Sequence, residues 1–401
     1  MVYVYNGSAD GPSDAGYWID YPPDCGSGGT CGFGSSLAMG DVNGDGYDDL
    51  AVGAINVAQW KMGKAHLFLG SPQGLSRTPA WSRACDNSPS ESCYWFGWSL
   101  AMGDVNGDSY KDLAVGAPDY AVFIKGKWYY IGRAYLFLGS PSGLSTTPAW
   151  TSLGEMVATS DEYNAYGATL ALCDFNRDGY QDLVVGDPHR NTTGKAYLFL
   201  GSPSGLSTTP GWTSMGNELP EGFFADALAC GDLNRDGYDD LAVLESMNSG
   251  SDPVPGNVMA FHGFPWGLSS GAMWNMTVNG TSGIGWGTPI ASAIAMGDVN
   301  GDGSSDLLVG APVENRSHLF LGDPFGLGTS PFWTFSNGDE GGYFGFALAI
   351  GDINGDGKGE VAIGADGWSS GTYEGEQSGK AYVFLGAAAG PPAGRYRRAT
   401  N

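Results

Sequence analysis

Oxygen donors at a fixed spacing are the residues here that can do chemistry. The decapeptide starting at Asp41, DVNGDGYDDL, sets side-chain oxygens at positions 1, 3, 5 and 9 and leaves a backbone carbonyl at position 7. Such a set wraps one hard cation, and Ca²⁺ takes roughly six to eight oxygens. The first set is Asp41, Asn43, Asp45, the Tyr47 carbonyl and Asp49. The pattern recurs five times: Asp104, Asn106, Asp108, Tyr110, Asp112; Asp174, Asn176, Asp178, Tyr180, Asp182; Asp232, Asn234, Asp236, Tyr238, Asp240; Asp298, Asn300, Asp302, Ser304, Asp306; and Asp352, Asn354, Asp356, Lys358, Glu360. Magnesium prefers strict octahedral geometry and retained waters, so carboxylate-rich wrapping favours calcium. The loops are not EF-hands, because position 12 of the first is Val52. Asp, Asn and Gly also make polar turns without metal, but six copies with carboxylates at the same three positions favour the metal reading. A wrapped ion keeps no open position for substrate, so about six structural calcium ions are expected.

Two loops depart from the pattern. Position 6 is glycine in five loops and Ser109 in the second, where strain is expected. Glu360 lengthens the last carboxylate arm.

The wider composition fits this reading. There are 43 acidic residues against 18 basic ones, a formal charge of −25. That acidity repels phosphate backbones and anionic lipid, so neither nucleic acid nor a membrane surface is an expected partner. Eighteen of the acids lie at the ligand positions, and six Ca²⁺ would bring the charge to about −13. The chain has no apolar run of about 18 residues, which argues against a membrane-spanning helix. Met1 leads straight into VYVYNG, which reads as strand rather than as a leader.

The elements that position the loops are short strands. An aromatic–small pair precedes each loop: Phe33-Gly34, Phe96-Gly97, Tyr166-Gly167, Phe224-Ala225 and Phe344-Gly345, with Ile290-Ala291 in the fifth copy. After each loop comes a segment such as AVGAI, AVGAP or VVGDP, then one such as GKAHLFLG or GRAYLFLG, then a Trp at 81, 150, 212, 274 or 333, replaced by Arg397 in the last copy. The apolar runs are four to seven residues long and bounded by Gly, Pro, Asn or Asp, which marks strands. Each repeat therefore offers four strands, A to D, and repeated four-stranded antiparallel units predict an all-β propeller. The repeats cover 33–81, 96–150, 166–212, 224–274, 290–333 and 344–397 of a single domain 1–401, and residues 1–22 hold strands C and D alone. Seven blades with one incomplete is the expected count. The alternative is six, with the strand of Trp18 completing the last sheet.

Paired FG and GAP signatures around DxNxDGxxD resemble the FG-GAP repeats of integrin α-subunit propellers. That resemblance implies a seven-bladed propeller with calcium loops between strands A and B on its lower face. It also implies an extracellular or cell-surface adhesion module whose ligands meet the opposite face, built from B–C and D–A loops.

The remaining signals concern that setting. Cys25 with Cys31 and Cys85 with Cys93 flank short D–A loops and can each close a local disulfide, which implies an oxidising compartment. Cys173 and Cys230, on strand A, read as buried free thiols. N-x-S/T sequons begin at Asn6, Asn191, Asn275, Asn279 and Asn315. The longest B–C segment, 118–131, carries Phe123, Trp128, Tyr129 and Tyr130; these are candidate ligand contacts, with Trp60 and Trp368 in equivalent loops. The competing reading of 118–131 is a longer hairpin extending strands B and C. The function expected is non-catalytic recognition of a protein or glycan. Self-assembly through the terminal hairpin is the alternative. A hydrolase or lyase is a third reading, which no HExxH, nucleophile elbow or phosphate loop supports.

Overall fold

Each repeat folds as one four-stranded antiparallel sheet whose strand order follows chain order, A-B-C-D. The computed structural model describes residues 2–13, 16–20, 31–57, 62–85, 90–156, 163–189, 193–216, 222–247, 256–278, 293–336, 342–365, 379–388 and 397–399. Strand A runs Phe33–Gly40, Leu100–Gly103, Thr169–Cys173, Gly222–Gly231, Ile294–Gly297 and Phe344–Gly351 in the six repeats. Strand B is Asp49–Val57, Asp112–Ala117, Asp182–Asp187, Asp240–Met247, Asp306–Ala311 and Glu360–Ala365. Strand C is Met62–Phe68, Arg133–Phe137, Lys195–Phe199, Gly256–Phe261, Arg316–Phe320 and Lys380–Phe384. Strand D is Trp81–Arg83, Trp150–Leu153, Trp212–Met215, Trp274–Val278, Trp333–Ser336 and Arg397–Ala399. Strands DLAVGA, DLVVGD and DLLVGA are buried along their whole length, as a short continuous apolar run between two flanking strands requires. The architecture is a β-propeller of several four-stranded blades.

The chain resolves into two compact units. The first comprises Met1–Val4 and Tyr17–Ala225, the second Tyr5–Gly16 and Asp226–Asn401.

In the first unit, the FG and GAP signatures are two halves of one joint. The carbonyl of Gly97 accepts the Ser36 hydroxyl of the preceding repeat at 2.6 Å, and that of Gly167 accepts Ser99 at 2.7 Å. The same carbonyls lie against Gly53 and Gly116, the glycines of AVGAI and AVGAP, where a Cβ would overlap the oxygen. A second clasp runs through strand D. Trp81 Nε1 donates to the Ser145 carbonyl at 3.1 Å and Trp150 Nε1 to Ser207 at 3.0 Å. Their indoles meet Phe137 and Phe199 of the following repeat edge-on, with centroids 5.2 and 5.0 Å apart. Val2 and Ile19 pack in one cluster with Phe33, Leu50, Val52 and Phe68.

The second unit repeats these joints. Gly310 lies against the Gly345 carbonyl, and Trp274 Nε1 donates to Gly328 at 3.1 Å. The Gly7 Cα faces the Ile353 carbonyl closely enough that a Cβ would overlap it; Gly322 and Gly386 stand in the same relation to the Leu233 and Val299 carbonyls. The N-terminal segment thus follows the sixth loop as a strand C follows the loop of the repeat before it.

Two expectations change. The last sheet takes its fourth strand from Arg397–Ala399, paired with Lys380–Phe384, and Gly16–Ile19 pairs with Val2–Tyr5 instead. The strand of Trp18 therefore does not complete the last sheet, as the six-bladed alternative required: backbone pairing holds strand D without the indole. Cys173 and Cys230 are disulfide-bonded and half-buried, not buried free thiols. Burial preference alone did not register that a cysteine on crowded strand A can be covered as half of a bridge.

Replacing Gly116, which has ordinary backbone angles, separates contact from conformation. Gly116→Ala should cost about 3 kcal/mol by overpacking against the Gly167 carbonyl. Gly143→Ala, at φ 88° in open space, should cost only about 1 kcal/mol. Equal losses in urea unfolding would show that the carbonyl contact is not the constraint.

Candidate functional site

All six acidic loops occupy the same place. Position 1 follows the last residue of strand A, and position 9 is the first residue of strand B. Main-chain pairing closes the hairpin under them, as in Gly40 with Asp49 and Gly103 with Asp112.

Within a loop each carboxylate has a separate task. Asp41 Oδ1 accepts the N–H groups of Gly44 at 2.7 Å and Asp45 at 3.2 Å, and its Oδ2 accepts Gly46 at 2.8 Å. Asp104, Asp298 and Asp352 hold their loops the same way. The position-5 carboxylate accepts the N–H of position 7 in every loop, at 2.8–3.0 Å. The position-9 acid is buried in all six. Its two oxygens accept the N–H of position 2 and that of the glycine closing strand C, as in Val42 and Gly70 on Asp49 at 3.0 and 2.7 Å. Gly139, Gly201, Gly263 and Gly322 repeat the second bond on Asp112, Asp182, Asp240 and Asp306. Glu360 reaches the equivalent Gly386 at 3.4 Å with its longer arm. Sequence spacing missed these glycines as part of the site, although a glycine ends the C segment in all six copies, four times as LFLG.

Positions 4 and 6 are both left-handed. Gly44 and Gly46 have φ of 74° and 86°, and Ser109 stands at 73°, which places the expected strain in loop 2. Arg177 and Arg235, at 55° and 61°, carry the same strain at position 4, a requirement the sequence reading overlooked.

The electrostatics favour an added positive charge. Burial, opposed by the backbone N–H bonds, pushes Asp112, Asp182, Asp240 and Asp306 up to about 7, and the charges at positions 1 and 5 push in the same direction. Asp49 is raised for the same reasons. Burial acts against Asp41, but the four N–H groups converging on it outweigh burial and lower it. Among the described residues no three His, Cys, Asp or Glu side chains gather as a preformed ligand set. The donor chemistry nevertheless fits a hard cation: in each of the first five loops the carboxylates at positions 1 and 5 act electrostatically on the buried one at position 9, and Asp232 Oδ1 is buried with no hydrogen-bond partner.

The aromatic segment forms its own hairpin, Asp119–Ile124 with Lys127–Tyr130, and joins Glu91–Tyr94 in a three-stranded sheet. The hairpin extends beyond strands B and C of repeat 2, as the competing reading held. Lys125 and Gly126, at φ 51° and 85°, make the two-residue turn. Phe123 and Trp128 face each other across the strands with centroids 5.1 Å apart; they are 42% and 36% exposed. Tyr129, with Val122, packs instead on the core cluster that repeats 1 and 2 share. Tyr130 is half-buried, and its ring begins a row through Tyr163, His189 and Phe223 at 6.1, 5.6 and 4.7 Å. Burial drops His189 to about 4, so this row carries a neutral imidazole. The Cys85–Cys93 disulfide ties the sheet down beside the hairpin.

The other candidates fall as follows. Cys31 is buried and disulfide-bonded, while Cys25, Trp60, Trp368, Asn191 and Asn279 lie outside the described residues. Asn6 is exposed directly after the strand Val2–Tyr5, and Asn275 is exposed on strand D of repeat 4. Asn315 is half-buried, and its Oδ1 accepts the Phe344 N–H at 3.2 Å. Away from the loops, Asp226 is buried on strand A of repeat 4 and accepts the Ser246 hydroxyl. Burial pushes it up to about 7.

Comparison with known proteins returns the same repeats. The family model described as FG-GAP repeat matches residues 33–55, 96–137, 291–326 and 344–384, and the FG-GAP-like repeat model matches 174–243. Together they account for just over half of the chain. Integrin alpha-PS2 of Drosophila melanogaster is 33% identical over 233 residues, 52% of this chain and 15% of that protein. Mouse integrin alpha-IIb is 33% identical over 218 residues, 52% of this chain and 20% of that protein. Human phosphatidylinositol-glycan-specific phospholipase D is 30% identical over 239 residues, 56% of this chain and 27% of that protein. The match thus spans about a quarter or less of each relative's length.

Asp226 sets a pH dependence. Its folded pKa of about 7 lies above the ordinary 3.8, so the fold favours the neutral acid. Its contribution to stability is fully present below about pH 4 and is lost as pH rises through about 7, by up to about 4 kcal/mol. Asp226→Asn should flatten that slope and leave stability at pH 4 unchanged. Identical pH profiles for the two proteins in urea unfolding would refute the assignment.

Proposed function

The chain belongs to the FG-GAP repeat family, and on that premise we propose that it is a calcium-stabilised, non-catalytic recognition module of the extracellular space, with a protein or glycan as ligand. The observation that carries the ligand reading is the exposed Phe123–Trp128 pair at the tip of a disulfide-tethered hairpin. Exposed aromatic anchors on a rigid support are what binding hot spots are made of. The Tyr130–Phe223 row extends the apolar surface away from the tip. Integrin α subunits among the relatives support an adhesive role; the phospholipase name describes an activity of that protein.

Asp41, Asn43, Asp45, the Tyr47 carbonyl and Asp49 would hold the cation of the first loop, and the equivalent residues those of the other five. The cation would neutralise a carboxylate cluster and fix the A–B turn; the chain's own groups do the rest by aligning donors on a strand hairpin. Oxidised Cys31, Cys85, Cys93, Cys173 and Cys230 support an oxidising compartment, where Asn6 and Asn275 offer accessible glycan acceptors.

Two measurements test this reading. Chelation should lower the melting temperature, since an ion at a hundred times its dissociation constant contributes about 2.7 kcal/mol per site; an unchanged melting curve would sink the calcium role. On glycan and extracellular-protein arrays, Trp128→Ser with Phe123→Ser should abolish whatever the parent chain binds, and full retention would remove the hairpin from the interface. Size-exclusion showing stable oligomers would instead favour the self-assembling alternative.

A further inference from the structure

We infer that neighbouring loops take up their cations in linked runs, not independently. The inference rests on the calcium reading above and adds how the sites regulate one another.

In the first unit two hydrogen-bonded paths join loop 1 to loop 2 and loop 2 to loop 3, and the first of them recurs between loops 4 and 5 and between loops 5 and 6 of the second unit. The first is a single peptide unit. The N–H of position 8 donates to the position-1 carbonyl of the preceding loop: Lys111 to Asp41 and Gln181 to Asp104, both at 2.9 Å. Ser305 donates likewise to Asp232 at 2.7 Å and Gly359 to Asp298 at 2.6 Å. The carbonyl of that same peptide belongs to position 7, the backbone donor of its own loop. One rigid plane therefore faces its own site with its oxygen and anchors the neighbour with its nitrogen. The position-7 side chain presses on the preceding loop too. Tyr110 and Tyr180 lie so close over Gly44 and Gly107 that a Cβ there would meet the ring at 2.6 Å.

The second path links the buried acids. Asp112 accepts the Gly139 N–H at 2.9 Å, and the next residue, Ser140, donates to the Val42 carbonyl at 3.1 Å. Val42 in turn donates to Asp49 at 3.0 Å. The same sequence runs from Asp182 through Gly201, Ser202 and Val105 to Asp112. A position-9 acid cannot shift toward its own site without moving the strand end that fixes its neighbour's position 2. A loop ordered by occupancy thus spares the next one part of its ordering cost, which is positive coupling without a change of fold. By linkage the effect is reciprocal.

The full chain, stripped of divalent ions, is titrated with calcium while hydrogen exchange is read on peptides covering loops 1, 2 and 3. In the parent these loops should gain protection over one shared, steep calcium range. Asp108→Asn weakens only loop 2 and keeps the oxygen that accepts the Tyr110 N–H. It should raise the calcium midpoints of loops 1 and 3 by about 5-fold or more, the lower end of ordinary site coupling. Loop 2 losing protection while loops 1 and 3 keep their midpoints would overturn the coupling. If the variant does not fold, three separate, shallow midpoints in the parent overturn it equally well. Protection that ignores calcium in all loops would instead sink the calcium reading on which the coupling rests.

Discussion

A buried carboxylate at the head of strand B organises each repeat. From that one point it ties the A–B loop, through position 2, to the end of strand C, through the closing glycine. Three of the four strands are thereby registered against one another at the same end of the sheet. The cost is an anionic group held out of water, beside two other carboxylates, which burial alone would drive toward neutrality. The rest of the loop is a response to that placement: backbone N–H groups converge on position 1, position 5 caps position 7, and left-handed residues at 4 and 6 turn those N–H groups inward.

The fold was legible because its signals are periodic. Six decapeptides in one phase placed loops, strands and blades, and the strand-first acid and the D-strand tryptophans fell where spacing put them. The reading failed where a residue's role depends on a neighbour in space. Nothing local says that the LFLG glycine donates to an acid about twenty residues upstream, or that Arg235 must adopt a left-handed backbone. The aromatic hairpin was legible as composition but not as geometry. Four rings within 123–130 divide between solvent, core and a cross-repeat row: strand alternation turns Tyr129 to the core, opposite to its neighbours Trp128 and Tyr130.

Departures from the repeat are informative for the same reason. Repeat 4 has Ala225 where four of the other five have glycine, and Leu244-Glu245 in place of the GA of AVGAP. Ala225 keeps the left-handed backbone, φ 67°, and still accepts Thr169 at 2.7 Å. The joint therefore depends on the position of the carbonyl more than on the residue that bears it. Glycine is the residue that reaches that position with least strain.

The tryptophan clasp gives the protein the mechanics of masonry. The indoles of Trp81, Trp150 and Trp274 are built into one blade but bear on the next, through a bond to its loop and an edge contact with its strand C. A blade that receives such an indole is braced by the one before it as well as by its own strands, as a voussoir is held by its neighbours. Damage in one blade loosens the following one, and tolerance to substitution is a property of the run of blades, not of any single sheet.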